Sequence, residues 1–230
     1  MKKGLIKQTN LYGTIPKNNK PFDDLGLYIK DFSLPSTILK KIQIWFGIPR
    51  KDMPVSLLGI KCWYLNHVTG EKKESEYHGR ELKKDNIESK ELEIKGNDYF
   101  TKINFGIPYY IIHFKISTKN GHYIEFGEIK EEYEKKIELN PDDNIISFFS
   151  GYTSRLGVRA LKINYISRVN FVFYRIIDIL RLRHFLKKHE KIKEFYLAEE
   201  NFNKLSFVMK YLFHVCLLPD TVLSCIVKYL

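Results

Sequence analysis

Short apolar segments separated by turn-forming clusters fill the first two thirds of this sequence, and they restrict the fold more than any other feature. Each segment is rich in β-branched and aromatic residues, which favour strands over helices. The segments cover residues 39–47, 57–65, 109–117, 123–127, 145–149 and 160–166. Asn120 and Gly121, between the third and fourth segments, form the pair that tight hairpin turns prefer. Many short strands at close spacing predict an antiparallel barrel, sandwich or prism.

The hydrophobic period changes near Arg168, where apolar residues begin to recur every three or four positions. This spacing is typical of amphipathic helices, and a proline often occupies the first position of a helix. The predicted helices cover residues 171–188, 202–216 and 219–230. We therefore divide the chain into a β-domain over residues 1–168 and a helical C-terminal extension over residues 169–230.

The chain is a basic protein, with 38 Lys and Arg against 27 Asp and Glu, a net charge of +11 and an isoelectric point near 9.3. Nucleic acid, anionic lipid headgroups and sulfated or sialylated glycans are all attracted to such a charge, and a solvated basic surface without a partner fits it equally well. Segments 71–76, 81–93 and 128–136 mix Lys with Glu, which indicates solvated turns and argues against nucleic acid. Segment 175–193 carries more basic than acidic residues, so contact with an anionic membrane surface or with an acidic groove of a protein partner stays open for it. A helix that packs on its own neighbours is favoured over both.

No residue cluster predicts catalysis, a metal site or a cofactor. The seven histidines are scattered, and His113, inside an apolar segment, is expected to be a core residue. Asp23 and Asp24 are adjacent carboxylates, but successive side chains of an extended segment point to opposite faces, so we assign them a structural role in a turn. We expect a protein that is not an enzyme and that has no cofactor.

The cysteines and the N-terminus indicate a cytoplasmic location. Cys62, Cys216 and Cys225 lack metal-site spacing, and their odd number argues against a disulfide framework. Residues 1–20 contain no apolar run typical of a signal peptide, and no segment reaches the roughly 18 apolar residues that span a membrane. Export by another route stays open.

Several fragments, taken together and in order, resemble the jacalin-related lectins over residues 10–167. The fragments are 21–25 (PFDDL), 39–47 (LKKIQIWFG), 57–65 (LLGIKCWYL), 77–79 (YHG), 97–103 (NDYFTKI), 111–127 (IIHFKISTKNGHYIEFG) and 148–165 (FFSGYTSRLGVRALKINY). The animal branch typified by the zymogen granule lectins is the most similar in pattern, because LNPDDNIISFFSG at residues 139–151 resembles its approach to the last loop.

The resemblance implies a β-prism I fold of three antiparallel sheets, with a carbohydrate site at one end. In the family this site joins an N-terminal glycine to a loop before the last strand, which commonly carries a Gly-x-x-x-Asp pattern. Arg159 stands where that aspartate is expected, and Gly13 is the counterpart of the N-terminal glycine. An arginine cannot accept sugar hydroxyls but can donate to a carboxylate, sulfate or phosphate, which favours an anionic glycan. The candidate site residues are Gly13, Gly151, Tyr152, Ser154, Arg155 and Arg159.

A second interpretation stays open beside the lectin. In it the prism has lost sugar binding, and the protein is an intracellular adaptor or scaffold whose C-terminal helices bind a protein or membrane partner. Residues 217–230 (LLPDTVLSCIVKYL) resemble the first helix of an F-box, although a helix that starts at Pro219 needs no partner to explain it. The sequence specifies neither the natural ligand nor the oligomeric state.

Overall fold

The computed structural model of the protein describes residues 6–15, 17–27, 37–66, 71–82, 87–96, 98–128, 131–138 and 144–167, together with the isolated residues His184 and Lys188. These two residues are helical and exposed. The predicted helices after residue 168 otherwise lie outside the described residues, so the helical extension and the domain boundary stay predictions. Between residues 6 and 167, the described part of the chain forms three antiparallel sheets.

Strands account for most of the described residues, and two short 3₁₀ turns, Asp24–Leu27 and Glu131–Tyr133, interrupt them. In chain order the strands are β1 (Ile6–Gln8), β2 (Tyr12–Gly13), β3 (Lys20–Asp23), β4 (Thr37–Gly47), β5 (Ser56–Asn66), β6 (Lys72–Glu74), β7 (His78–Gly79), β8 (Ile87–Glu93), β9 (Phe100–Gly106), β10 (His113–Thr118), β11 (Tyr123–Phe126), β12 (Glu134–Glu138), β13 (Asn144–Ser154) and β14 (Gly157–Ser167).

The three sheets share one arrangement. Sheet 1 has the order β1-β14-β13-β3, sheet 2 the order β6-β5-β4-β8, and sheet 3 the order β11-β10-β9-β12; β2 also pairs with β14, and β7 with β5. Each sheet is therefore built on a hairpin of two consecutive strands, β13–β14, β4–β5 or β9–β10, with an outer strand on either side. This threefold repetition, which the sequence analysis did not detect, agrees with the predicted β-prism.

Aromatic pairs join the sheets two by two across the core. The pairs are Tyr64 with Phe148, Phe46 with Phe126 and Tyr12 with Phe105, at ring-centroid distances of 5.0, 4.9 and 5.9 Å. They connect sheet 2 with sheet 1, sheet 2 with sheet 3, and sheet 1 with sheet 3. Because large aromatic rings bury much apolar area and prefer defined geometries, these contacts determine how the sheets pack.

Most predicted strands are confirmed, and the four in sheets 1 and 2 are longer than predicted. The Asn120-Gly121 turn is confirmed as well, since β10 and β11 form a hairpin and Gly121 has a φ of +86°. The strand predicted to begin at Tyr109 is wrong at its start, because β10 begins at His113. Pro108 gives the physical reason, since a proline has no N–H to donate to the ladder.

The charged segments that were predicted as solvated turns contain strands instead. β6, β8 and β12 arise within or beside them, and each of these strands lies at the edge of its sheet. Edge strands carry charged residues because one side faces water, and the charge opposes pairing with another chain. The glutamates also contact cations of the neighbouring strand, as in Lys41 with Glu91 at 2.8 Å and Lys61 with Glu74 at 3.3 Å.

A buried carboxylate, Asp24, ties the first 3₁₀ turn to sheet 2. It is 1% exposed, accepts a hydrogen bond from the Tyr64 hydroxyl, and shares a second one with Nε2 of His78 at 2.6 Å. Burial, with the neighbouring Cys62 and Asp24, raises the pKa of Tyr64, so the phenol keeps the proton that it donates. Asp23 is exposed, and its carboxylate accepts the backbone N–H of Leu25 at 3.1 Å. These contacts agree with the structural role predicted for the two aspartates.

Replacing Asp24→Ala is expected to lower the free energy of unfolding by about 2–3 kcal/mol, because it removes the buried carboxylate that accepts from the Tyr64 hydroxyl and shares a hydrogen bond with His78. Asp23→Ala is the matched control, and it should cost less than about 1 kcal/mol because the bond it removes is exposed. Urea unfolding of both variants provides the measurement. Equal losses in the two variants would contradict the assignment of Asp24 as the structural carboxylate.

Glu125 forms an ionic cluster on the outer side of the β10–β11 hairpin. Its carboxylate contacts Nε2 of His113 and Nζ of Lys115, each at 2.9 Å. Burial alone raises the pKa of Glu125, but the hydrogen bonds and charges of His113 and Lys115 outweigh it and hold the pKa below the ordinary 4.5. His113 is 2% exposed and therefore buried, although it contacts Glu125, a partner it shares with Lys115, and the core residues of β10 are Phe114 and Ile116.

Because its pKa is depressed in the folded state, ionised Glu125 stabilises the fold above pH 4.5, and this contribution is lost as the pH falls from 4.5 through the folded-state pKa. We expect Glu125→Gln to lower the stability at neutral pH by about 0.5–1 kcal/mol, since the group is partly exposed. The difference in the free energy of unfolding between this variant and the native chain should shrink below pH 4.5. Urea unfolding across this pH range, with the exposed Glu131→Gln as control, tests the expectation; a pH-independent difference would refute it.

Candidate functional site

The turns of the three hairpins lie together at one end of the sheets, which we call the hairpin end. These turns are residues 155–156, 48–55 and 107–112. The N–H of Leu57 donates to the carbonyl of Ile111 at 2.8 Å, so the start of β5 adjoins the third turn. Gly157 lies against the backbone of Leu57 and Leu58, so the start of β14 adjoins β5 as well.

Arg159 occupies a β-bulge near this end. Tyr152 pairs with Ala160 and Thr153 with Val158, so Arg159 is the extra residue that β13 leaves unmatched. On the other side of β14, Ala160 pairs with Gly13. A side chain at Gly13 would overlap the Arg159 carbonyl, and the φ of +121° there also favours glycine. The structure therefore brings Gly13 and Arg159 together, as the resemblance implies, and a bulge is a means of re-aiming a side chain.

The guanidinium of Arg159 joins three segments of the chain. Its Nη2 donates to Oγ1 of Thr14 and to the carbonyl of Tyr109, both at 3.1 Å. Its Cζ lies 4.0 Å from the centroid of the Tyr110 ring, and Thr14 also donates to the Tyr109 carbonyl at 3.1 Å. Nε of Arg159 is buried without a partner among the described residues. The hydrogen bonds of Arg159 to the described residues are therefore those of Nη2, and they hold the guanidinium against Thr14 and Tyr109.

The remaining predicted site residues divide into two groups. Arg155 is exposed at the tip of the two-residue turn, and Oγ of Ser154 accepts the N–H of Leu156 at 3.2 Å and so supports that turn. Gly151 and Tyr152 lie further from the turn, inside β13, of which Ser154 is the last residue. Gly151 is buried between the backbone of Ala160 and the ring of Phe22, so it does not reach the surface of the site. The predicted loop is thus a hairpin with a short turn. The prediction that Gly151 contacts a sugar is corrected, because this residue is buried.

Three residues of this surface were missed by the sequence analysis. Thr14, Tyr109 and Tyr110 contact Arg159, but Tyr109 and Tyr110 were placed in a strand. Pro108 was the available signal for a turn. Tyr109 is 72% exposed, so its ring is open to a ligand. The Arg159 site, as used below, comprises Gly13, Thr14, Tyr109, Tyr110, Arg155 and Arg159.

Two clefts lie away from the Arg159 site. The first, of about 340 Å³, lies beside β3 and β7 and includes Asp24 and His78; the second, of about 760 Å³, includes Ile48, Val55 and Ile112. Within the described residues, no group of three His, Cys, Asp or Glu side chains is placed to hold a metal ion. No helix in that part of the chain is long and apolar enough to cross a membrane.

The fold is similar to that of solved lectins, although no protein-family model and no curated protein matches the sequence. Malaysian banana lectin matches 70% of this chain and 99% of its own, with a TM-score of 0.52 and 13% identity. A mannose-binding jacalin-related lectin from Ananas comosus matches 70% of this chain and 98% of its own, with a TM-score of 0.51 and 15% identity. The Calsepa lectin, in complex with a biantennary N-glycan, matches 70% and 97%, with a TM-score of 0.51 and 15% identity.

These matches cover almost the whole of each lectin, so the shared part is the complete sheet architecture. The comparison does not single out the zymogen granule branch, and that finer resemblance stays a prediction. The described part of this chain between residues 6 and 167 has the fold of the jacalin-related lectins.

Proposed function

We propose that the protein binds carbohydrate at the Arg159 site and does so without catalysing a reaction. One observation carries the proposal: Gly13 lies against the carbonyl of the bulged Arg159, where the resemblance implies the sugar-binding loop. Two similar structures support it, since one is described as mannose binding and the other was solved with an N-glycan. The exposed ring of Tyr109 offers an apolar surface against which a sugar ring can pack.

The side chains of the site favour a glycan that carries negative charge. Sugar hydroxyls need an acceptor as well as donors, and none of the six residues of the Arg159 site has a carboxylate. Arg155 is exposed, so its guanidinium can donate two parallel hydrogen bonds to a carboxylate or sulfate group. Arg159, which is bound to Thr14 and Tyr109, acts mainly by positioning these residues and by adding positive charge.

The adaptor interpretation depends on the helical extension. Its residues lie outside the described part of the chain, and no contact of the described residues favours it. It therefore stays a prediction beside the proposed lectin function.

A glycan array that presents neutral, sulfated and sialylated sugars to the full-length protein tests the proposal. We expect binding to the anionic glycans, and Arg155→Ala should weaken it by about tenfold, because a hydrogen bond between charged groups is lost. Arg50→Ala is the matched control: Arg50 is another exposed arginine at the hairpin end and outside the site. It removes the same charge, so it should change the affinity much less than Arg155→Ala does.

Arg159→Asp provides a second, independent test, because it supplies the acceptor that neutral sugars need. We expect this variant to lose anionic glycans and to gain binding of neutral monosaccharides on the same array. A thermal melt should accompany it, since the substitution also removes the contacts to Thr14 and Tyr109. If the native chain binds no glycan, or if Arg155→Ala and Arg50→Ala weaken binding equally, the proposed site is wrong.

A further inference from the structure

The cleft beside β3 and β7, which we call the β3–β7 cleft, lies between sheet 1 and sheet 2. Its volume is about 340 Å³. Clefts of roughly 300–1,000 Å³ are the usual size of sites that hold small ligands or single side chains. The lining residues that matter for its chemistry are Phe22, Asp23, Asp24, Glu76, Tyr77 and His78.

One wall of the cleft is a pair of stacked rings. The centroids of the Phe22 and His78 rings lie 4.2 Å apart, and their planes differ by 15°. Phe22 belongs to β3 and His78 to β7, so the stack bridges the two sheets. A flat aromatic wall is a surface on which a planar cation can pack.

Hydrogen bonds hold this wall in place before any ligand arrives. Nε2 of His78 bonds to Oδ1 of Asp24 at 2.6 Å, and the Tyr64 hydroxyl donates to the other oxygen of the same carboxylate. The Tyr77 hydroxyl donates to the carbonyl of Arg80 at 2.9 Å. Side chains that are fixed in the free protein lose little freedom when a ligand binds, which favours affinity.

Two exposed carboxylates, those of Asp23 and Glu76, complete the lining. Among the described residues neither of them forms an ion pair, and Asp23 accepts the uncharged backbone N–H of Leu25. The strand glutamates Glu74 and Glu91, in contrast, contact lysines at 3.3 and 2.8 Å. The cleft therefore offers carboxylates whose charge is not already matched by a neighbour.

Negative charge prevails in the lining, although the chain as a whole is basic. Asp23, Asp24 and Glu76 are balanced there by one lysine, Lys20. The charged residues that adjoin the lining within 17–25, 74–81 and 150–155 are Lys17, Glu74, Arg80, Glu81 and Arg155. Of these, Arg80 donates to the carbonyl of Pro49 at 2.8 Å, and Glu74 contacts Lys61. The excess of carboxylates is therefore local to the cleft.

We propose that the β3–β7 cleft binds an arginine side chain of a partner protein. The guanidinium packs against the aromatic wall and donates two parallel hydrogen bonds to the carboxylate of Asp23 or Glu76. Asp24 adds negative charge but keeps its bonds to Tyr64 and His78. The inference does not rest on carbohydrate binding, because no residue of the Arg159 site lines this cleft.

Other ligands fit the cleft less well. No group of three His, Cys, Asp or Glu side chains in the described part of the chain is placed to hold a metal ion. An anionic glycan would be repelled by the carboxylates. A lysine ammonium matches the charge, but it lacks the plane that packs on an aromatic ring and the fork that pairs with a carboxylate.

Calorimetric titration of the full-length protein with capped peptides tests the proposal. One peptide carries a single arginine, and the other carries citrulline, which has nearly the same shape without the charge. We expect the arginine peptide to bind and added salt to weaken it, while the citrulline peptide should bind about tenfold more weakly or less, because charged hydrogen bonds are lost.

The double variant Asp23→Asn, Glu76→Gln should weaken binding of the arginine peptide by about tenfold, because it removes both exposed carboxylates and keeps their shape. Asp52→Asn, Glu131→Gln is the matched control. It makes the same two chemical changes at exposed residues outside the cleft, so it should change the affinity much less. Thermal melts of both double variants verify that the fold is retained.

NMR of the histidine side chains of the native chain locates the contact. The ring signals of His78 should shift when the arginine peptide is added, while those of the exposed His122 in the β10–β11 turn should not. Equal binding of the arginine and citrulline peptides, equal weakening by the two double variants, or unchanged His78 signals would overturn the proposal. Equal affinity for a lysine peptide would overturn the assignment to arginine.

Discussion

Contacts between aromatic rings of different sheets are the interaction on which this fold depends. The hydrogen-bonded ladders run within each sheet, so the relative placement of the sheets is determined chiefly by side-chain packing. Three ring pairs, each shared by a different two sheets, close the core. Because each sheet contributes rings to two pairs, the loss of one contact would loosen two sheets at once, and the hairpins must keep their lengths and registers for the rings to meet.

The lengths of the hairpin turns are not restricted by the packing of the rings. The three hairpin turns contain two, eight and six residues, although the hairpins that they close are equivalent in the sheets. A core that fixes the strands but not the turns leaves one end of the molecule free to vary in sequence and length. The exposed Arg50 and the Arg159 site both lie at that end. The proposed glycan-binding site is thus separate from the aromatic pairs that hold the sheets together.

Much of the architecture could be predicted from the sequence, because alternating β-branched and aromatic residues report directly on buried strands. The edge strands could not be predicted, because a strand such as Ile87–Glu93 buries few side chains and its sequence is typical of a solvated charged turn. At the candidate site, the resemblance implies that Gly13 and Arg159 are neighbours, and Gly13 does lie against the Arg159 carbonyl; their role in binding stays a prediction. Thr14, Tyr109 and Tyr110 were missed because their contacts with Arg159 span about 50 to 145 positions in sequence, and no local pattern reports on contacts of that range.

The bulge at Arg159 has a counterpart in sheet 2. Gly79 lies against the carbonyl of Leu58 as Gly13 lies against that of Arg159, and Leu58 is likewise the residue that its partner strand leaves unmatched. In sheet 3, Gly127 lies in the same way against the carbonyl of Ile112. The backbone at these positions is held by a glycine across the strand, whatever side chain it carries. The side chain at Arg159, Leu58 or Ile112 can therefore be exchanged without removing the glycine contact that holds its backbone.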